Sequence, residues 1–178
     1  HSDSRRQRQM CIRDRNGKAQ RLAGSLTDIS TYRAREQRIR EEARRDALTD
    51  LPRQDVLLEK IARSVELSMQ HADAHFSVLM VNVDRLSIVR DSFGREAVDN
   101  LLLQIADRIK ACAGEDGMVS RYDGSAFAIL LADLEVPHDG PRLASRIHEA
   151  MADAFDIHDP RVFVTVSIGM TSSCLLYT

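Results

Sequence analysis

The stretch RYDGSAFAILL, residues 121 to 131, decides how the chain is read. Residues 118 to 122 and 126 to 132 have the length and apolar content of two buried strands. Asp123-Gly124 between them is a dipeptide ready for positive φ, which predicts a tight hairpin. Working outward, FSVLMVNV (76 to 83) and VFVTVSIGM (162 to 170) are further strand-length apolar runs, and helices are predicted over about 53 to 72, 95 to 113 and 141 to 155. The helix near 100 is the clearest. Val98, Leu101, Leu102, Ile105 and Ile109 recur at i, i+3, i+4, i+7 and i+11, one face of a 3.6-residue period. From Asp46 onward the pattern is therefore an α/β (α+β) domain around a central sheet.

Residues 16 to 30 differ in texture. Asn16-Gly17 is a hairpin signal, and Leu22, Gly24 and Leu26 alternate like a strand. Asp28 to Thr31 supplies N-cap residues for a run without Gly or Pro, predicted to be helical over 31 to 48. Its apolar positions, Tyr32, Ile39, Ala43 and Ala47, are too sparse to bury against its own domain. Such a helix either bridges two domains in solvent or pairs with a copy of itself, so a homodimer through 31 to 48 is an expectation.

Composition excludes several classes. At 43% hydrophobic and 29% charged residues the chain is globular rather than disordered or collagenous. Its longest apolar runs are far short of the roughly 20 residues a membrane helix needs, so no membrane segment and a cytoplasmic location are expected. Cys11, Cys112 and Cys174 have no short spacing, which argues against a disulfide framework or a zinc knuckle. The net charge of −2 conceals an uneven distribution: residues 1 to 45 carry 13 Lys and Arg against 6 Asp and Glu, the remainder 12 against 21. That basic arm holds one aromatic, Tyr32, and no base-stacking pattern, so nucleic acid is not an expected partner. His71 and His75 stand at i, i+4 but at a helix end and without a third ligand nearby.

Several landmarks then resemble, in order, the GGDEF domain of the diguanylate cyclases. DALTDLP (46 to 52) resembles the family's entry motif, NVDRLSIVRDSFG (82 to 94) its metal and base segment, RYDGSAFAILL the hairpin that names it, and VTVSIGM (164 to 170) the strand that follows. NGKAQRLAGSLTDIS (16 to 30) resembles the last strand of a PAS sensor domain. The resemblance implies a nucleotidyl-cyclase-like, mostly antiparallel sheet flanked by helices over 46 to 171. It also implies a PAS remnant at 16 to 30 and a signalling helix at 31 to 48. Residues 1 to 15 and 172 to 178 resemble neither and are expected to be a non-native leader and tail, with the family's next helix and strand missing.

The same resemblance places nucleotide-binding positions at Asn82, Val83, Ser87, Arg90, Asp99, Gly124 and Ser125. Magnesium prefers hard anionic oxygens in octahedral array, and the family's two metal carboxylates fall on Asn82 and Ser125, both neutral here. Of the pair that reads guanine, Asp99 keeps its carboxylate, but the partner Asn is Arg90, which has donors and no acceptor and could instead pair with Asp91, Asp99 or a phosphate. The family's lysine is Ser87. Asp84 is expected to cap the helix beginning near Leu86, the alternative being that it recruits metal alone. Asp123 is assigned to turn chemistry. An inhibitory product site would need an Arg where Gly114 to Gly117 stands. The expectation is a catalytically degenerate GGDEF domain that transmits signals in cyclic di-GMP regulation, requiring no cofactor, with GTP and Mg as ligands only where residual binding survives. An EAL-type phosphodiesterase domain is the expected downstream partner. An active cyclase and a nucleotide-independent interaction module are the alternatives.

Overall fold

The computed structural model describes residues 5–13, 19–28, 43–71, 73–134, 139–157 and 161–173. The chain divides into two units, His1–Ala43 and Arg44–Thr178. In the first, β1 (Arg5–Arg13) pairs antiparallel with β2 (Ala19–Asp28), from Arg5 opposite Asp28 to Arg13 opposite Ala19. β2 is the strand expected around Leu22 and Leu26. β1 lies in the segment assigned to a leader, and Asn16-Gly17 lies outside the described residues. So does most of the helix predicted over 31 to 48, residues 31 to 42.

That helix does not reach residue 48. Ala43 is helical, but Arg45 bridges Pro52, the Asp46 amide donates to the Leu51 carbonyl at 2.8 Å, and Asp50 takes a left-handed φ of 53°. The Asp46 carboxylate accepts the amide of Thr49 at 2.9 Å and its hydroxyl at 2.8 Å. A side chain that captures backbone donors three residues on offers the chain a turn in place of a helix.

The second unit is built on a four-stranded sheet in the order β4-β5-β3-β8, every neighbouring pair antiparallel. Its members are β3 (His75–Val83), β4 (Gly117–Arg121), β5 (Ala126–Leu134) and β8 (Val166–Ser172). Alternation along β3 splits its side chains between two layers. Phe76, Val78 and Met80 meet α1 (Gln54–Gln70) through Leu57, Ile61 and Val65. Leu79, Val81 and Val83 meet α2 (Leu86–Ala113) and α3 (Asp139–Ala152) in the larger core. The five apolar residues from Val98 to Ile109 singled out by their period are all buried. This is the expected α+β sheet flanked by helices.

Three element ends differ from the sequence reading. α2 joins two helices across Gly94, at φ 83° and ψ −177°, so the helix near Leu86 and the one beginning at 95 form a single kinked element. α3 stops at Ala152 because Arg108 reaches its carbonyl end, donating to the Ala150, Asp153 and Ala154 carbonyls at 2.7 to 2.8 Å and stacking on the Phe155 ring at 3.7 Å. Phe155 thereby enters β6 (Phe155–Asp156), which pairs with β7 (Arg161–Val162). The single strand predicted over 162 to 170 is divided for the same reason: Val162 pairs with Phe155, whereas Val166 pairs with Val83.

The corner from α2 into β4 is close-packed. A Cβ on Gly117 would stand 2.7 Å from the Ala113 Cβ and 3.1 Å from its carbonyl oxygen, neither able to swing aside. Gly117→Ala is expected to lower unfolding free energy by about 1–3 kcal/mol, read as a reduced urea midpoint with unchanged m-value.

Candidate nucleotide site at the end of strand β3

The register of the sheet assembles the site. Asn82, next to last in β3, lies opposite Ala126 of β5 on one side and Ser167 of β8 on the other. The Val83 amide donates to the Ser125 carbonyl at 3.0 Å, which draws the 122–126 turn over the end of β3. There the Ser125 hydroxyl donates to the Asn82 carboxamide oxygen at 2.9 Å. Both side chains are neutral.

The turn is made differently from the sequence reading. Neither Asp123 nor Gly124 has positive φ. The Asp123 carboxylate instead accepts the amides of Ser125 at 3.2 Å and Ala126 at 3.1 Å, so its assignment to turn chemistry holds by side-chain capture rather than by left-handed backbone. Gly124 is exposed, and its carbonyl accepts from the Arg121 guanidinium. Arg121 is only 8% exposed and lies 4.6 Å over the Phe127 ring. Burial pushes its pKa down, and Asp46, Asp123 and Asp99 oppose that shift.

Asp84 does not cap α2. The residue at that end is Arg85, left-handed at φ 54°, with no side-chain cap. Asp84 turns instead to β8: its amide donates to the Thr165 carbonyl at 2.9 Å, and its two carboxylate oxygens accept the hydroxyls of Thr165 at 2.8 Å and Ser167 at 2.7 Å. Thr165 and Ser167 were absent from the sequence reading. Their i, i+2 spacing, which puts both on one face of a strand, was the available signal.

Ser87 and Arg90 are exposed on the first part of α2, and no hydrogen bond or ion pair joins either to the rest of the site. The pairings considered for Arg90 with Asp91 or Asp99 do not form. Asp99, beyond the kink, pairs with Arg95 at 3.8 Å. The structure thus brings together Asn82, Val83, Asp84, Gly124 and Ser125. Beside them a cleft of about 770 Å³ opens between Asn82, Asp84, Arg85, Ile88, Val89 and Phe93 on one side and Val162 to Thr165 on the other. Among the described residues no three His, Cys, Asp or Glu side chains are grouped as metal ligands would be. None of the described helices is long and apolar enough to cross a membrane.

Comparison with known proteins agrees with this architecture. A family model described as "Diguanylate cyclase, GGDEF domain" matches residues 43–175, and the chain belongs to that family. Diguanylate cyclase TpbB of Pseudomonas aeruginosa is 30% identical over 156 residues, covering 85% of this chain and 35% of TpbB. The bifunctional diguanylate cyclase/cyclic di-GMP phosphodiesterase MucR of the same species is 28% identical over 151 residues, covering 84% of this chain and 22% of MucR. The chain thus spans about a third or less of the length of these relatives. A solved structure of the TpbB GGDEF domain superposes with a TM-score of 0.69 at 30% identity, over 72% of this chain and 75% of that one.

The Asp84 carboxyl is held below the ordinary carboxylate range, first by the Ser167 hydroxyl and then by that of Thr165, against a smaller effect of burial. A lowered folded pKa contributes stability above the unfolded value, about 3.9, and the contribution vanishes as pH falls through the folded value. Asp84→Asn is therefore expected to lower the urea midpoint at neutral pH and to lower it progressively less as the pH falls below the ordinary carboxylate range. An equal deficit at every pH would contradict this linkage.

Proposed function

We propose that this chain is a GGDEF domain of cyclic di-GMP signalling that has lost catalysis and transmits a signal. Forming cyclic di-GMP requires the 3′-hydroxyl of one GTP to attack the α-phosphate of another, in line, while divalent metal neutralises the triphosphate. The observation that carries the proposal is the 2.9 Å hydrogen bond between Ser125 and Asn82. At the two places where the family sets metal carboxylates, a hydroxyl donates to a carboxamide, and neither brings the negative charge magnesium selects. Asp84 is a poor substitute, because both its oxygens already accept hydroxyl hydrogen bonds. The residues present do not fit a magnesium–triphosphate, and no step of synthesis is assigned to them.

Transmission has a physical route. The segment that begins at Arg44 is clamped on β4: the Pro52 carbonyl accepts the Arg121 amide and the Ser120 hydroxyl, both at 2.9 Å, and Arg53 bridges Arg121 in parallel. β4 leads directly into the turn that carries Ser125. In this proposal the helix predicted from the sequence ahead of Arg44 acts on the site through this segment. On this reading residues 16 to 30 are a PAS remnant, the helix before Arg44 is the signalling and dimerising element, and residues 46 to 171 are the responding GGDEF-like domain. A phosphodiesterase domain of the EAL type, which the resemblance to bifunctional relatives suggests, is the proposed downstream effector.

Incubation of the protein with GTP and magnesium, followed by chromatography of the nucleotides, is expected to yield no cyclic di-GMP, and its accumulation would refute the proposal. Asn82→Asp combined with Ser125→Glu is expected to tighten magnesium-dependent GTP binding by about tenfold or more, as two restored charge-assisted contacts should, measured by calorimetry. No gain would mean that Ser87 and Arg90 have also removed the nucleotide pocket, which favours an interaction module that binds no nucleotide.

A further inference from the structure

The first part of α2, residues 86 to 93, is bounded at both ends by left-handed backbone. Arg85 stands at φ 54° and ψ 31°, and Gly94 at φ 83° and ψ −177°. A non-glycine residue in that region is uncommon and persists only when its surroundings over-determine it. Between these two points the chain is anchored by little: Leu86 and Val89 are buried, and the other six residues are exposed. Beyond Gly94 the same helix buries Ala97, Val98, Leu101, Leu102, Ile105, Ala106 and Ile109. Two turns of helix do not sustain themselves in water, so the first part depends on its attachments.

Its principal polar attachment lies just before it. Asp84 is tied to the approach of β8 by one backbone and two side-chain hydrogen bonds, to Thr165 and Ser167. The segment also has two functional sides. Ile88, Val89 and Phe93 form one wall of the cleft of about 770 Å³ whose other wall is Val162 to Thr165. At about 100° per residue, Ser87 falls opposite this wall and Arg90 on its flank, next to Phe93.

We propose that residues 86 to 93 form a hinged arm, latched to β8 through Asp84. Its swing about Arg85 and Gly94 sets the width of the cleft and, together with it, the position of Ser87 and Arg90. Releasing the two hydroxyl bonds frees the arm without unfolding the body of α2. Because one short segment carries both sides, whatever widens or fills the cleft displaces the residues at the family's nucleotide positions. That consequence rests on the reading of Ser87 and Arg90 given above, whereas the hinge itself does not, and the test is made without nucleotide.

The test is amide hydrogen exchange with mass spectrometry on the whole 178-residue chain at neutral pH, across a series of low urea concentrations. In the wild type, residues 86 to 93 are expected to exchange by an opening almost insensitive to urea, while residues 97 to 109 require an opening that grows steeply with it. Thr165→Val combined with Ser167→Ala is expected to speed exchange of the arm by about tenfold, the effect of losing two ordinary hydrogen bonds, and to leave residues 97 to 109 nearly unchanged. A shared urea dependence of arm and body would overturn the proposal, as would a double variant that leaves the arm's rate unchanged or accelerates both segments equally. Should the double variant not fold, the wild-type urea series alone decides.

Discussion

Strand β3 is paired on both sides, with β5 and with β8, and its antiparallel register is the constraint from which the site follows. Side chains alternate across a sheet, so a slip of one residue would exchange Leu79, Val81 and Val83 in the core for Val78, Met80 and Asn82. Burial of the first three in the larger core therefore directs Asn82 to the other face of the sheet. Asn82 stands at the exposed end of the face that Phe76, Val78 and Met80 turn to α1, beside the turn of Ser125 and across from Ser167. What chemistry occurs at this place then depends only on which side chains stand there.

Those side chains, Asn82 and Ser125, are uncharged and hydrogen-bonded to one another. Two carboxylates a few ångströms apart repel one another and need a cation between them. A hydroxyl and a carboxamide carry no net charge and do not repel one another, and here the Ser125 hydroxyl donates to Asn82. Asp84, the carboxylate that remains nearby, is bound by two hydroxyls and serves to hold the β3–α2 turn against β8. The fold does not depend on charge at this place, because the site lies at the ends of strands whose stability resides in the buried layer beneath.

The sheet and the body of α2 were legible in the sequence because apolar period alone determines them. Val98 to Ile109 repeat at helical spacing, and the runs at 76 to 83 and 126 to 132 are of strand length between turn residues. The positions of Asn82 and Ser125 were legible through order along the chain, since each ends or precedes a strand that the pattern had already located. What the sequence did not reveal was set by contacts between distant residues. Asp84 reads locally as a helix cap and becomes a cross-strand acceptor because Thr165 and Ser167 arrive 81 and 83 residues later. The end of α3 is likewise imposed by Arg108 from another helix, and the run from 162 to 170 is divided by Phe155. Asp123-Gly124 indicated a turn correctly and its backbone type wrongly, because a carboxylate able to accept two amides removes the need for positive φ.

The degenerate-site reading comes down to whether this pocket can retain a divalent ion. Manganese is the informative probe, as it replaces magnesium at oxygen sites and its free ion gives a strong paramagnetic resonance signal. In a titration of the protein with Mn(II) and excess GTP, two neutral ligands should leave the spectrum that of Mn–GTP in solution, with no protein-dependent broadening. A saturable broadened component that appears with protein and disappears in Asn82→Ala would contradict the reading, by showing that the ion is held between β3 and the Ser125 turn despite their lack of charge.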